Sequence, residues 1–181
     1  MKRKAGAICS VAAIISLLLN SGEAPINRAG LELIGEAEQC RTMPYVCPAG
    51  VLTDGIGNTQ HNVVAGQQKS FKQIARDWGA NINTASMCVR RQFRGDDMNE
   101  NQFAAFTSVA FRTGCTGLRT YYNAKLQRRV ETTIHKLAMQ GRFTEACDRI
   151  TDFVNGGGKP LPGLVARAEK EKALCLKSVN K

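Results

Sequence analysis

The sequence predicts an α+β fold in which a small antiparallel sheet lobe precedes a larger helical lobe. Three observations predict it. Residues 27–38 carry an apolar face at helical spacing, residues 45–57 alternate short apolar runs with Pro- and Gly-bearing turns, and helical spacing recurs from residue 70 onward. A short apolar segment, residues 5–19, stands ahead of all three and predicts an N-terminal membrane anchor helix.

Lys2-Arg3-Lys4 precede the uncharged run from Ala5 to Leu19, so the N-terminus is expected to stay cytoplasmic and everything beyond residue 25 to be exported. Fifteen residues cover only about 22 Å at 1.5 Å per residue, short of a hydrocarbon core of roughly 30 Å. Ala, Gly, Ser and Cys dilute the segment further. A cleaved signal peptide is one reading, although its best cleavage site, Gly22-Glu23-Ala24, would place Pro25 after the cut. A weak, uncleaved anchor is the other. The expected division is residues 1–25 as the N-terminal segment and 26–181 as one domain.

In that domain Asn27 suits the N-cap of a helix whose buried face is Gly30, Leu33, Ile34 and Ala37, with Pro44 preventing its continuation beyond the Cys40 region. Glu38 then falls in or just after the last turn. The negative end of the helix dipole disfavours an ionised carboxylate there, which suits a general acid. Tyr45-Val46-Cys47, a turn at Pro48-Ala49-Gly50, Val51-Leu52-Thr53, a turn at Asp54-Gly55 and Ile56-Gly57 read as the sheet. Residues 60–69 read as a loop. Ser70-x-x-Gln73 is a capping box, followed by Phe71, Ile74, Ala75, Trp78, Ile82 and Ala85 on one face of a long helix linking the lobes. Arg94-Gly95-Asp96 is a turn. Asn99-x-x-Gln102 opens a helix apolar nearly all round, the buried centre of the helical lobe, ended by Gly114. Leu126, Val130, Ile134 and Leu137 predict one further helix, with Arg128 and Arg129 on its solvated side. Residues 143–150 predict a short helix, residues 152–160 are too Gly-rich for core, and Pro162 begins a last helix reaching about Cys175.

The 181 residues are ordinary in hydrophobic and charged content, but the net charge of +10 is not. Lys2, Arg3, Lys4 and Glu23 account for +2, leaving +8 on the exported part, a field that favours polyanions. No aromatic-basic motif or recognition helix supports nucleic acid as the partner. His61 and His135 lie far apart without metal-ligand spacing, so neither a metal nor a cofactor is expected. Seven cysteines beside an export segment indicate an oxidising compartment, and the odd number leaves one thiol over, with Cys9 the outlier by position. Cys88, Cys115, Cys147 and Cys175 allow three pairings. Cys147, early in one helix, and Cys175, late in another, match in an antiparallel pair, which leaves Cys88 for Cys115. Cys40 and Cys47, seven apart, are close enough to bridge. Such a bridge is either a structural staple or a block on a reactive thiol.

Glu38, then Cys47 nine residues on, then Thr53 six further, followed by Gly55-Ile56-Gly57-Asn58-Thr59, resembles the catalytic region of the phage-type lysozymes, glycoside hydrolase family 24. Asn58 stands where a His is usual and Gln39 where a Gly is common. Residues 101–114 resemble the family's central helix, with Arg112 for a common Asn. Residues 152–167 resemble its C-terminal segment beside the saccharide cleft, with Phe153 for a common Trp and Ala168 for one of two arginines. The resemblance covers roughly residues 27–176. It implies a lysozyme-like fold and hydrolysis of the β-1,4 bond between N-acetylmuramic acid and N-acetylglucosamine in peptidoglycan, by a monomer. Glu38 would be the acid, Cys47 the second catalytic group, as base or nucleophile, and Thr53 the holder of the attacking water. Asn155, Gly156, Gly157 and Arg167 would lie along the cleft. Together with the weak anchor, the cysteines are similar to those of signal-anchor-release endolysins. That likeness implies an enzyme tethered to the host inner membrane through residues 5–19, its catalytic domain periplasmic and held inactive by a Cys40–Cys47 bridge. Release to the periplasm would let Cys9 attack Cys40 and liberate Cys47.

Overall fold

The computed structural model describes residues 9–38, 40–47, 50–60 and 62–179. Lys2-Arg3-Lys4, the first residues of the apolar run, Gln39, Pro48-Ala49 of the expected turn and His61 lie outside the described residues.

Ser10 opens the first helix, α1 (Val11–Asn20), by accepting the Ala13 N–H on its hydroxyl. Ile14, Ile15 and Leu18 are buried along one side, and α1 packs on α2 (Arg28–Ala37) and α3 (Phe71–Phe93). Two glycines let it come close. A Cβ added at Gly35 of α2 would lie 2.4 Å from Val11 Cγ1, and one at Gly79 of α3 would lie 2.9 Å from Leu18 Cδ1. Among the described residues no helix is long and apolar enough to cross a membrane. The part of the expected anchor that is described is a core helix of about 15 Å.

Asn27 caps α2, accepting the Gly30 N–H. The buried face of α2 is Gly30, Leu31, Ile34 and Gly35 rather than the expected set, since Leu33 is half-buried and Ala37 exposed. Packing on α1 and α4 together turns the face by one residue. The helix ends at Ala37, earlier than Pro44 required. Pro44 lies instead within β1 (Cys40–Val46), at an irregularity where the pairing with β2 (Leu52–Ile56) shifts between Arg41 and Tyr45. An antiparallel ladder runs from Cys40↔Ile56 to Val46↔Leu52, and a bridge from Asp54 to Asn58 closes the turn after β2.

Both capping boxes form, at Ser70/Gln73 and at Asn99/Gln102. They start α3 and α4 (Glu100–Arg119). Trp78 and Ile82 of α3 are fully buried, whereas Phe71 is 40 % exposed and outside the core. A left-handed Arg94 and a short 3-10 turn at Gly95–Asp97 separate the two helices. α4 is the buried centre: Phe103 through Ala110 are all buried, and Phe106 meets Phe93 edge-on at 5.9 Å between ring centroids. Gly114, with φ +72° and ψ 154°, breaks the helical backbone where the sequence predicts the end of the helix, and a second helical stretch continues to Arg119. The Cys88–Cys115 disulfide ties α3 to the part beyond the break.

The helix expected from Leu126 onward is a correction. Residues 120–131 form a hairpin of β3 (Thr120–Asn123) and β4 (Arg128–Glu131), and α5 (Thr133–Met139) starts only after the Thr132 cap. The Asn123 side chain accepts the N–H groups of Lys125 and Leu126, and Gln127 takes a left-handed φ of +48°. This is turn chemistry that outweighs the four-residue apolar spacing. α6 (Phe143–Asp148), a 3-10 turn and a two-pair hairpin of β5 (Asn155–Gly156) and β6 (Lys159–Pro160) lead to α7 (Pro162–Leu176), with Pro162 in its first turn. Cys147–Cys175 joins α6 to α7, which packs on α4. The fold is α+β, mostly helical, with small antiparallel sheets.

Candidate active site

Glu38 is the residue that leaves helical geometry at the end of α2, with φ −115° and ψ 139°. Its side chain points into the space between the sheet lobe and α7. Arg167 of α7 reaches it, Nη1 lying 3.6 Å from Oε1. On the other side stands Gly57, where an added Cβ would sit 3.1 Å from Oε2, so the chain after β2 passes against the carboxyl group. Burial pushes the Glu38 carboxyl above the usual carboxylate range, and the neighbouring Arg167 guanidinium opposes this without cancelling it. Desolvation is therefore the dominant cause, in place of the helix dipole on which the sequence argument leaned.

Tyr45 connects the acid to the strand end. Its ring carries the Arg41 guanidinium at 4.4 Å. Its phenol is held above its ordinary pKa first by burial and then by the charges of Glu38 and Cys47, with Arg41 opposing. Glu38 and Cys47 thus both act on one phenol. Cys47 is half-buried and in no disulfide. Its backbone N–H and the buried Thr53 hydroxyl donate to the same acceptor, the Val51 carbonyl, each at 3.0 Å. That shared oxygen fixes Thr53 beside Cys47 at the loop end of the hairpin.

Cys40 is bonded to Cys9, not to Cys47. The bond fastens the residue just before the Ser10 cap of α1 to the first residue of β1, and both sulfurs are buried. Behind β2 lies a buried polar cluster. The Lys69 ammonium is 3.0 Å from Asp54 Oδ2 and also pairs with Asp77 of α3. The Asn58 amide donates to Asp54 Oδ1 at 2.7 Å, and Asn81 donates to Asn58 at 3.3 Å. These bonds hold the Gly55–Asn58 turn, and with it Gly57, against α3.

Gly57 also lines a cleft of about 260 Å³, together with Thr59, Gln60, Asn81, Phe111 and Gly114. Gly57 thus stands between Glu38 and a groove that runs between the sheet lobe and helices α3 and α4. Of the expected cleft residues, Arg167 comes to Glu38. Asn155, Gly156 and Gly157 lie in the β5–β6 hairpin, and no hydrogen bond or ion pair among the described residues links them to Glu38. Among the described residues no group of three or more His, Cys, Asp or Glu could hold a metal. Sequence reasoning passed over Tyr45, Gly57 and Glu171. The four-residue spacing of Arg167 and Glu171 was a visible signal for the last.

Comparison with known proteins agrees with this geometry. Residues 35–171 match the Phage lysozyme family. A SAR-endolysin of Escherichia phage P1 is 53 % identical over 171 residues, covering 94 % of this chain and 92 % of that protein. The crystal structure of the active form of the P1 phage endolysin Lyz superimposes with a TM-score of 0.91 at 53 % identity, over 94 % of this chain and 96 % of that one. The secreted inactive form of the same endolysin gives 0.62 at 55 % identity, over 83 % and 94 %. On the extent of the family match and the identity to the P1 protein, the chain belongs to the phage lysozyme family.

Proposed function

We propose that this chain is an endolysin that hydrolyses the β-1,4 bonds of peptidoglycan between N-acetylmuramic acid and N-acetylglucosamine, to lyse a bacterial host. The observation that carries the reading is the Glu38 carboxyl, whose pKa burial raises, held between Arg167 and the Gly57 turn between the two lobes. A protonated acid can donate to the leaving glycosidic oxygen. Cys47 assists at the opposite face of the sugar, and Thr53 holds the attacking water; the hydroxyl and the Cys47 backbone sharing Val51 supports that partnership. The excess positive charge suits an anionic wall polymer.

Activity is switched by thiol exchange. While residues 5–19 sit in the inner membrane, Cys9 has no access to the periplasmic domain, and a Cys40–Cys47 disulfide withholds the Cys47 sulfur. After release, the Cys9 thiolate attacks Cys40 Sγ; the Cys9–Cys40 bond forms, the Cys40–Cys47 bond breaks, and Cys47 leaves as thiolate and takes up a proton. No external oxidant is needed. The Cys9–Cys40 disulfide, the Cys47 thiol and the closer superposition on the active than on the inactive P1 form support this as the switched-on arrangement.

Glu38→Gln tests the site. The variant should fold and lose wall-clearing activity by about 10²-fold or more. Near-wild-type clearing of a cell-wall suspension would end the assignment of the acid. Mass spectrometry of the products should show reducing ends; anhydro-muramic ends would make the enzyme a lytic transglycosylase.

A further inference from the structure

The guanidinium beside Glu38 is not an isolated group. Arg167 also donates from Nε to Oε1 of Glu171 at 3.2 Å, one turn along α7. Glu171 has no solvent exposure. Its Oε1 accepts the Ser108 hydroxyl at 2.7 Å, and Arg112 of α4 grips both its oxygens: Nε at 3.1 Å from each, and Nη2 at 2.7 Å from Oε2. The remaining arm of Arg112 donates to the Phe153 carbonyl at 2.6 Å. Arg112 and Arg167 are themselves only 7 % and 10 % exposed at the side chain.

A buried carboxylate is tolerated only when its charge is met. Here one carboxylate is met by two guanidinium groups, so a unit of positive charge is left over, and the group that opens toward Glu38 is Arg167. Without Arg112, Glu171 would have Arg167 as its single cation and would neutralise it. Without the Glu171 charge, Arg167 would face Glu38 with its charge undivided. We infer that Arg112 and Glu171 are positioning residues that set how much of the Arg167 charge reaches Glu38, and so the pH range over which the acid holds its proton. Neither touches substrate. The inference rests on Glu38 being the general acid.

Among the described residues, the sheet lobe brings Tyr45 to Glu38 and, through that phenol, Arg41 and Cys47. On α2 and α7 stands the exposed Glu36–Lys170 pair. None of them contacts Glu171 or Arg112 among the described hydrogen bonds, so they form a constant background to changes made in α4 and α7.

The test is the alkaline limb of kcat/KM against pH, on soluble murein fragments, with the full chain in its released form. Activity falls as pH rises through the pKa of the acid. Arg112→Met removes a cation, so the limb should move to higher pH; Glu171→Gln removes an anion, so it should move to lower pH, each by up to about one unit. The double variant restores the charge balance, and its limb should return toward wild type. A purely structural role predicts loss of rate or stability with limbs in one place, or both singles shifted in the same direction, and either result overturns the inference. Should Arg112→Met fail to fold, Glu171→Gln and the double variant still decide: a limb unmoved in the first, or not restored in the second, is equally fatal. Failure of the parent reading looks different, because Glu38→Gln would then remain active.

Discussion

Replacing both partners of the Cys9–Cys40 disulfide separates a switch from a staple. The bond closes a loop with a sequence separation of 31 residues. By the chain-entropy relation, losing it costs about 3.7 kcal/mol at 25 °C, or roughly 7–15 °C in Tm for a domain of this size. Alanine is the right substitute, since each site is 4 % exposed and a serine hydroxyl there would be buried without a partner. In Cys9→Ala/Cys40→Ala the Cys47 sulfur has neither old partner, so the protein should clear a wall suspension while unfolding at lower urea. Cys9→Ala alone should keep the Cys40–Cys47 bridge and remain inactive. Urea titration by circular dichroism gives the stability, iodoacetamide labelling counts the Cys47 thiol, and turbidity gives activity. A double variant that is folded and labelled at Cys47 yet inactive would refute the switch. One as stable as wild type would refute the loop-entropy reasoning.

Three further outcomes are expected. Lys69→Met leaves Asp54 and Asp77 facing each other without an ammonium group, which should cost about 3–5 kcal/mol in urea unfolding; Asp77→Asn added to it should recover part of the loss. Gly35→Ala should destabilise the wild type, because its Cβ would meet Val11 Cγ1 at 2.4 Å, yet stabilise a Val11→Ala background by up to about 1 kcal/mol through helix propensity. The same sign in both backgrounds would show that α1 does not sit against that glycine. Glu38 has a folded pKa raised above 4.5, so the folded state binds the extra proton and stability falls as pH rises through 4.5 toward the folded value. Glu38→Gln should therefore be more stable than wild type at pH 7, with the difference vanishing in acid. Parallel curves of Tm against pH would contradict the burial argument.

Features resting on nearest neighbours were legible in the sequence. Asn27, Ser70 and Asn99 each cap a helix with a side chain reaching no further than the next turn, and all three do so here. Glu38 was legible as a helix-end carboxylate for the same reason. The cause of its raised pKa was not, because desolvation depends on α7 and the Gly57 turn folding back over it. Hairpin β3–β4 was misread because Leu126, Val130, Ile134 and Leu137 satisfy helical spacing. The competing signal, an Asn123 turn, lies in polar residues that a hydrophobic pattern ignores. Arg112 stood out only as a departure from a familiar helix, and its partner lies on a different element far along the chain.

The water-facing side of α1 constrains that segment in a second way. Ala12, Ser16 and Asn20 are its exposed positions, four apart, and none carries a large apolar side chain. The small residues that make the segment a poor fit to a bilayer are thus the ones that keep it wettable once Ile14, Ile15 and Leu18 are buried. Leucine at 12 and 16 would leave the buried contacts untouched and draw an oily stripe down the outside of the molecule, inviting copies to stick together. The segment is therefore bounded on both counts: greasy enough on one edge to complete the core, and plain enough on the other to stay dispersed.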